Sequence, residues 1–469
     1  MCSTAEENTW LKRSLMAAEG RRSLTSTSMR QNDTGTSAAS SREAEARASL
    51  LIMTPRKWRL VCVFEALARF LKPLVPPLPP VDNPTEPPAS ILVVEYWNLG
   101  DLAIIVPFLR NLRHSFPQAR ISLLVQTGLE SFLGGQEIVD EFISVRVPWA
   151  QHFNRWKKYN PFSRHWISLV RSILVLRSRH FDWAFSGRMD MRDNFILWVS
   201  GARRRIGYDI GGGGQFLTDR VKPDLSRPHR AQIWQHLLDS MDESPNPEPG
   251  SFQLRDAETE QARSFLLSRG IPSDAFLIGV HPGARIPTRR WSEERFAEVA
   301  RRILSETDAH VLWFSEPGNS HNVPLMERIH AMSLDFRSFL AVLSRCRLLV
   351  CNDSGPMHLA NLLNVPVVAI FGPQRPEWFG PRGPHDRVVI HPEFSCRPCF
   401  DYCIFDQPYC LRTISCDEVC DAIKDVLRPM EPRAPASVGA LMDELALPIS
   451  GDFMNEAAAV LDRTRRCDE

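Results

Sequence analysis

The chain has 469 residues, of which 43% are hydrophobic and 24% charged, which is typical of a folded protein with room for two or three domains. Its 56 Lys and Arg residues against 55 Asp and Glu leave a formal net charge of +1, which disfavours nucleic-acid binding. No apolar run reaches the ~20 residues needed to cross a bilayer.

The first 88 residues divide into two predicted segments. Residues 1–54 have no apolar signal core and are predicted as a disordered leader, or as residues upstream of a start at Met53. Residues 55–88 contain "KWRLVCVFEALARFLKPL" (57–74), an amphipathic helix, followed by a Pro-rich linker. The basic residues of this helix suit a membrane surface, and its apolar face equally suits the body of the protein.

The next region alternates short apolar strands with helices. Strands are predicted at 91–97, 119–126 and 181–187, with a helix from 102 to 115 and a helix, turn and strand over 192–208. Such alternation builds a parallel sheet, so residues 89–240 are predicted as an N-terminal Rossmann-like domain that binds the acceptor.

An acidic, Pro-rich linker is predicted at 241–256, and the alternation then restarts through residues 257–428. Strands are expected around "FLIGVHPG", "HVLWFS", "RLLVCND" and "VPVVAIFG". The fold class is therefore α/β, with two Rossmann-like domains facing each other across a cleft and a C-terminal tail at 429–469. Clefts of this kind bind ligands at the carboxyl ends of their strands.

The turn "NDSG" (352–355) lies between a predicted strand and a predicted helix. A helix N-terminus exposes free N–H groups and a partial positive charge, which makes an anion site that Gly355, Ser354 and His358 could complete. The alternative is that Asp353 and Ser354 only cap the helix.

Two further turns follow strands in the same way. "HPGARIPTRRW" (281–291) holds Gly283 and then Thr288, Arg289 and Arg290, whose guanidinium forks match phosphate oxygens. "NLGD" (98–101) ends in Asp101, which either starts a helix as an ordinary acid or takes a proton from an incoming hydroxyl.

Taken together and in this order, "LGD", "HPGA…PTRRW" and "NDSGPMHLA" ahead of "VPVVAIFGP" resemble glycosyltransferase family 9, the ADP-heptose:lipopolysaccharide heptosyltransferases. The resemblance covers residues 91–428. It implies a GT-B fold, inverting transfer from a nucleotide-sugar, and neither a metal nor another cofactor. The implied partners are ADP-heptose and a lipid-linked glycan of the lipopolysaccharide core, met in the cytoplasm or at the cytoplasmic face of the inner membrane.

The family motifs also imply site residues in this chain. Asp101 corresponds to the catalytic base, and Asn98 and Gly100 stand beside it on the acceptor side. "RRRIGY" (203–208) and His229 also resemble family positions in this domain. The nucleotide-sugar contacts implied are Gly283, Thr288, Arg289, Arg290, Asn319, Asp353, Ser354, Gly355, Pro356, Met357 and His358.

Two positions depart from the family pattern. The family often has "GGPGE", whose Glu binds the ribose, where this chain reads "SEPGN" with Asn319. Arg289 replaces the usual lysine, which keeps the charge but changes the geometry. These departures leave the donor nucleotide undefined.

Six cysteines crowd together in the second half, unlike the even spread of a secreted disulfide framework, and a reducing compartment is expected. A zinc or iron–sulfur site is one interpretation, and a structural role, as implied by similar cysteines in the family, is the other. The residues are Cys396, Cys399, Cys403, Cys410, Cys416 and Cys420.

The segment 149–166 mixes cations with aromatic residues. It is either a partly buried helix pair or an acceptor surface on which rings stack against sugars and Arg155, Lys157 and Lys158 bind phosphates. The aromatic residues are Trp149, Phe153, Trp156, Tyr159, Phe162 and Trp166.

The predicted function is therefore inverting glycosyl transfer with Asp101 as general base and the turns 283–290 and 353–358 holding the diphosphate. The alternatives are a nucleotide-sugar-binding protein without activity, an enzyme resembling nucleotide-sugar epimerases, and a transferase with another donor and acceptor. Asp101 argues against the first, and the basic aromatic segment against the second.

Overall fold

A computed structural model describes residues 87–150, 160, 162–224, 226–241, 252–316, 323–399, 401 and 403–428, together with Val63 and Glu65. The predicted leader, the C-terminal tail and most of the predicted linker and of helix 57–74 lie outside the described residues. Among the described residues no helix is long and apolar enough to cross a membrane.

The first domain is a parallel six-stranded sheet with the order β3-β2-β1-β4-β5-β6. Its strands are β1 (Ser90–Val94), β2 (Arg120–Gln126), β3 (Glu141–Val145), β4 (Trp183–Ser186), β5 (Arg204–Tyr208) and β6 (Asp219–Val221). Its helices are α1 (Leu99–Ile104), α2 (Val106–Ser115), α3 (Arg164–Arg179), α4 (Met191–Val199) and α5 (Arg230–Asp239).

The second domain repeats this topology, with the strand order β12-β11-β10-β7-β8-β9. Its strands are β7 (Leu277–His281), β8 (His310–Ser315), β9 (Ile329–Ser333), β10 (Leu348–Asn352), β11 (Val367–Phe371) and β12 (Arg387–Ile390). Its helices are α6 (Asp256–Ser268), α7 (Glu293–Glu306), α8 (Phe336–Leu343), α9 (Gly355–Leu362), α10 (Pro376–Phe379), α11 (Tyr409–Arg412) and α12 (Cys416–Leu427).

Each sheet has one point where the strand order reverses direction. In the first domain this switch point lies between β1 and β4, and in the second between β7 and β10. Loops leave neighbouring strands in opposite directions there, so a crevice opens at the carboxyl edge. The predicted fold class, two Rossmann-like domains facing each other across a cleft, is confirmed.

The predicted central strands are present, and the strands that the sequence did not reveal are β3, β6, β9 and β12. All four are edge strands. Each is partly exposed, as in β3 and β9, whose burial varies along the strand. Central strands of a parallel sheet are buried on both faces and read as continuous apolar runs, whereas an edge strand has no such run to detect.

The helix predicted at 102–115 is two helices. α1 begins earlier, at Leu99, and α2 begins at Val106 with Pro107 in its first turn. Proline has no N–H to donate to the preceding turn, so the chain restarts a helix there instead of continuing one.

The two domains also meet away from the switch points. Phe132 of the first domain stacks on Phe252 at 5.2 Å and packs edge-on against Phe336 at 5.5 Å. Arg337 donates to the Phe132 carbonyl at 3.2 Å while its guanidinium pairs with Glu258. These apolar and charged contacts tie α6 and α8 to the first domain.

Candidate functional site

Asp101 lies in the first turn of α1, at the switch point of the first sheet. Its Oδ1 accepts a hydrogen bond from Arg188 Nη1 at 2.8 Å. Its Oδ2 accepts from the backbone N–H and the side-chain amide of Asn98, at 3.2 and 3.1 Å. The carboxylate thus closes the start of the helix and is also held by an arginine that follows β4.

Burial would raise the pKa of Asp101, but the charge and hydrogen bond of Arg188 and the Asn98 donor outweigh it and hold the pKa at about 2. Asp101 is therefore ionised throughout the physiological range. An ionised carboxylate at this edge of the sheet can accept a proton, as the general-base prediction requires.

Four residues around Asp101 and its partner Arg188 were not identified from the sequence, namely Arg188 itself, Glu95, Trp97 and Arg192. Arg188 also lies 3.6 Å from Glu95, a fully buried acid that follows β1. Burial raises the pKa of Glu95 to about 8 despite Arg188. Trp97 lies between Arg188 and Arg192, whose guanidinium carbons are 4.6 and 4.7 Å from its ring centroid. The only sequence signal was that Glu95 and Arg188 follow strands β1 and β4.

Asn352, the last residue of β10, connects the two predicted turns of the second domain through hydrogen bonds of its side chain. Its fully buried side chain accepts from the Trp291 N–H at 2.9 Å and donates to the Pro282 carbonyl at 2.7 Å. Loop 282–290 and turn 353–358 therefore lie side by side at the switch point of the second sheet.

Ser354 is the residue that precedes α9, but its side chain makes no capping hydrogen bond. Ser354 Oγ is buried and has no hydrogen-bond partner among the described residues. The capping alternative therefore does not account for Ser354. A buried hydroxyl without a partner costs free energy, and a bound oxyanion at this helix N-terminus would satisfy it.

Arg289 is held by acids of its own domain. Its Nε and one terminal nitrogen donate to the two oxygens of Asp401, both at 2.7 Å, and Nη1 lies 3.2 Å from Asp353. The charge of Arg289 is therefore balanced within the protein. Burial raises the pKa of Asp353 to about 6 against the effect of Arg289. Asp401 was not identified from the sequence and has no motif that would reveal it.

The two switch points meet where α1 and α9 approach each other. A Cβ added to Gly100 would lie 3.0 Å from His358 Cδ2 and 3.3 Å from the Gly355 Cα. Arg285 donates across the domains to Asn98 Oδ1. Asp101 is therefore close to the predicted diphosphate turn, and Arg285 is a cation between them that sequence reasoning missed.

His229 also joins the domains. Its Nδ1 accepts from the Ala231 N–H at 3.2 Å, so its Nε2–H donates to the Gly380 carbonyl at 3.0 Å. Burial lowers the pKa of His229 to about 3, so the ring is neutral. Arg203 and Arg204 of "RRRIGY" pair with Asp182 and Asp219, which is a structural role.

The remaining predicted residues differ in their positions. Met357 is fully buried in the hydrophobic core, so the structure does not bring its side chain to the site. Gly283 is buried in its loop, Thr288 is partly buried, and Arg290 donates to the Ala284 carbonyl. Pro356 lies in the first turn of α9. Asn319, Arg155, Lys157 and Lys158 lie outside the described residues.

Of the predicted aromatic segment, Trp149, Phe162 and Trp166 are described. Trp149 packs edge-on against Trp166 at 6.3 Å and donates to the Tyr96 hydroxyl at 3.2 Å, whereas Phe162 is exposed. The two tryptophans are partly buried against the core of the first domain. Their packing agrees with the structural interpretation, and of the three cations predicted to bind phosphates, Arg155, Lys157 and Lys158, none is among the described residues.

Part of the cysteine cluster lies beside Thr288 within the second domain. Four of the thiols, of Cys396, Cys399, Cys403 and Cys410, line one small cavity. Burial raises the pKa of Cys399 to about 11 and of Cys410 to about 12, so these thiols are protonated. Among the described residues, no group of three or more His, Cys, Asp or Glu side chains could hold a metal ion.

Comparison with known proteins adds a second kind of observation. Residues 169–409 match the family described as glycosyltransferase family 9 (heptosyltransferase). Lipopolysaccharide heptosyltransferase 2 of Salmonella typhimurium is 25% identical over 334 residues, which cover 64% of this chain and 87% of that protein. Lipooligosaccharide heptosyltransferase 2 of Haemophilus ducreyi is 30% identical over 315 residues, or 62% of this chain and 86% of that protein.

Among solved structures, a family 9 glycosyltransferase from Veillonella parvula superposes with a TM-score of 0.56 at 23% identity. The match covers 72% of this chain and 97% of that one. At this level of identity the likeness concerns the fold, and it agrees with the GT-B arrangement of the two sheets.

Proposed function

Because this chain belongs to glycosyltransferase family 9, the heptosyltransferases, and is thus a glycosyltransferase, we propose that it transfers heptose from ADP-heptose to a saccharide of the lipopolysaccharide core. The names of its relatives support this donor and acceptor class. The observation that carries the proposal is the meeting of Asp101 with the Ser354–His358 turn across the cleft.

The proposed reaction is a single in-line displacement. The acceptor hydroxyl gives its proton to Asp101, its oxygen forms a bond to the anomeric carbon of the sugar, and the bond from that carbon to the diphosphate oxygen breaks. The electron pair leaves with the nucleoside diphosphate. One displacement inverts the anomeric carbon, and no metal or other cofactor enters the proposal.

The leaving diphosphate gains negative charge in the transition state, and the second domain offers donors for it. These are the positive N-terminal end of α9, the unpartnered Ser354 hydroxyl, and the cation Arg285. Preorganised donors of this kind usually contribute the largest part of the stabilisation. Arg289 holds Asp353 and Asp401 in place beside this turn.

The His358 ring lies next to Gly100 at the junction of the domains, since a Cβ added to Gly100 would be 3.0 Å from His358 Cδ2. Burial lowers the pKa of His358 to about 4, so its ring is neutral at physiological pH. A neutral imidazole can donate one hydrogen bond to the sugar or phosphate without adding charge. Its proposed role is to position the donor next to Asp101.

The test is acceptor-dependent release of nucleoside diphosphate by the purified protein, with a panel of ADP- and UDP-sugars and truncated lipopolysaccharide. We expect release with one donor only and its loss in Asp101→Asn. Asp256→Asn is the matched control, since Asp256 is an exposed acid in the first turn of another helix, α6. Donor binding without release for any acceptor in the panel would overturn the lipopolysaccharide proposal.

A further inference from the structure

Helix α3 is apolar on two opposite sides. Its inner side packs on the first sheet through Leu169 and Leu176, which are buried, and Ser172 donates to the Ser144 carbonyl of β3 at 3.1 Å. Its outer side carries four large aliphatic side chains in solvent, two of them, Leu174 and Val170, 63% and 54% exposed. The set is Ile167, Val170, Leu174 and Val175.

The exposed side chains form one stripe and are not scattered. Ile167, Val170 and Leu174 stand at positions i, i+3 and i+7, which share one face of a helix. Phe162, just before the helix, is a further large apolar side chain in solvent, 85% exposed. Single exposed apolar residues are ordinary, but a contiguous row indicates a surface that another body covers.

The charged side chains of helix α3 all have one sign. Helix α3 contains four arginines and no acid. Arg164 and Arg171 are exposed and form no ion pair with any described residue. Together with Arg146 they line a groove between α3 and β3. The acid in that groove, Glu141, is neutralised by Arg179 at 2.5 Å and Arg120 at 3.3 Å.

We propose that this outer face of α3, with Phe162 and Ile167–Val175, docks on a membrane surface that contains anionic phospholipid. Aliphatic side chains gain free energy by entering the boundary of the acyl chains, and the arginines meet lipid phosphates at the depth of the headgroups. The excess of arginine over acids favours this partner over a second copy of the chain, because two such faces would repel each other.

The docking face is connected to the site through packed aromatic rings. Trp166 of α3 contacts Trp149, Trp149 contacts Tyr96, and Tyr96 stacks on Trp97 at 5.7 Å. Trp97 in turn contacts Arg188, which binds Asp101. Given the proposed function, a face on this domain would hold the enzyme against the membrane that carries its acceptor. Membrane binding itself does not depend on that function.

The test is flotation of the full-length protein with vesicles of pure phosphatidylcholine or of phosphatidylcholine mixed with phosphatidylglycerol. We expect flotation only with the anionic vesicles, falling as salt is added. The double variant Val170→Asp/Leu174→Asp should lower the bound fraction about tenfold. Its thermal unfolding should be unchanged, because both positions are exposed in the folded protein.

The control variant is Leu267→Asp, which changes an exposed leucine on α6 of the second domain and should float as the wild type does. A wild type that stays unbound to anionic vesicles, or a double variant that floats fully, would overturn the proposal. Concentration-dependent dimerisation that the double variant abolishes, without vesicle binding, would assign the face to a second copy instead. Flotation needs no donor or acceptor, so its result is separable from failure of the proposed transfer reaction.

Discussion

Arg188 donates to Asp101 at 2.8 Å, and this contact joins the two strands that flank the switch point of the first sheet. Asp101 follows β1 and Arg188 follows β4, so residues 87 positions apart in the chain meet at the carboxyl edge. The arginine sets the charge state of the proposed base, and this has a measurable consequence.

Replacing Arg188 with Gln should change the pH dependence of transfer. Without the guanidinium the pKa of Asp101 should rise from about 2 towards or above its ordinary value, since burial then acts unopposed. The wild type should show no loss of kcat/KM caused by Asp101 above pH 4, whereas the variant should acquire an acidic limb. An unchanged profile would contradict the role given to Arg188.

Glu95 should make the protein less stable as the pH rises. Because its folded pKa, about 8, lies above its unfolded value, its stabilising effect is complete at low pH and is lost as the pH rises through 8. Glu95→Gln should remove this dependence and raise the free energy of unfolding by roughly 2–4 kcal/mol at pH 8. Denaturant unfolding of the wild type and of Glu95→Gln at pH 4 and pH 8 measures this effect. A difference in the free energy of unfolding between the two proteins that is the same at both pH values would refute the prediction.

Gly100→Ala should impair catalysis more than folding. The added methyl would stand 3.3 Å from the Gly355 backbone and 3.0 Å from the His358 ring, so the domains must separate by a few tenths of an ångström. We expect kcat/KM to fall about tenfold or more, with little change in melting temperature. The control variant is Gly134→Ala, which is remote from the site and should leave kcat/KM unchanged. Gly128→Ala is not used as a control because the φ of Gly128 is positive.

Two serines that precede helices allow a matched comparison. Ser292 caps α7 by accepting from the Arg295 N–H at 3.3 Å, whereas Ser354 makes no such bond to α9. Ser292→Ala should therefore cost about 1 kcal/mol of stability and leave kcat/KM unchanged. Ser354→Ala should cost little stability and lower kcat/KM about tenfold or more. Unfolding curves and steady-state rates of both variants test this prediction. If the two variants lost the same stability and the same kcat/KM, the different roles given to Ser292 and Ser354 would be disproved.

Local patterns were sufficient to predict the central strands and to single out the three turns of the candidate site. Val93, Val280 and Val350 belong to strands that are buried on both faces, and such strands can be recognised in the sequence as continuous apolar runs. Asp101 and Ser354 could be found because polar residues directly after such strands must lie at the carboxyl edge of a parallel sheet.

Other features depended on contacts between distant parts of the chain. The edge strands β3, β6, β9 and β12 are partly exposed and are held in place by pairing with one neighbouring strand. Their sequences therefore contain no continuous apolar run that would predict a strand. Met357 and His358 are adjacent in a site motif, yet helix geometry buries one in the core and turns the other towards Gly100.

The amino-acid sequence alone was enough for the family resemblance, the two α/β halves and the proposed base, because these rest on short runs and turns. The Arg188 partner of that base, the contact of Arg188 with Glu95, and the pairing of Arg289 with Asp401 required the folded chain. Burial and charge act through space, so the ionisation of these groups follows from which strands lie side by side.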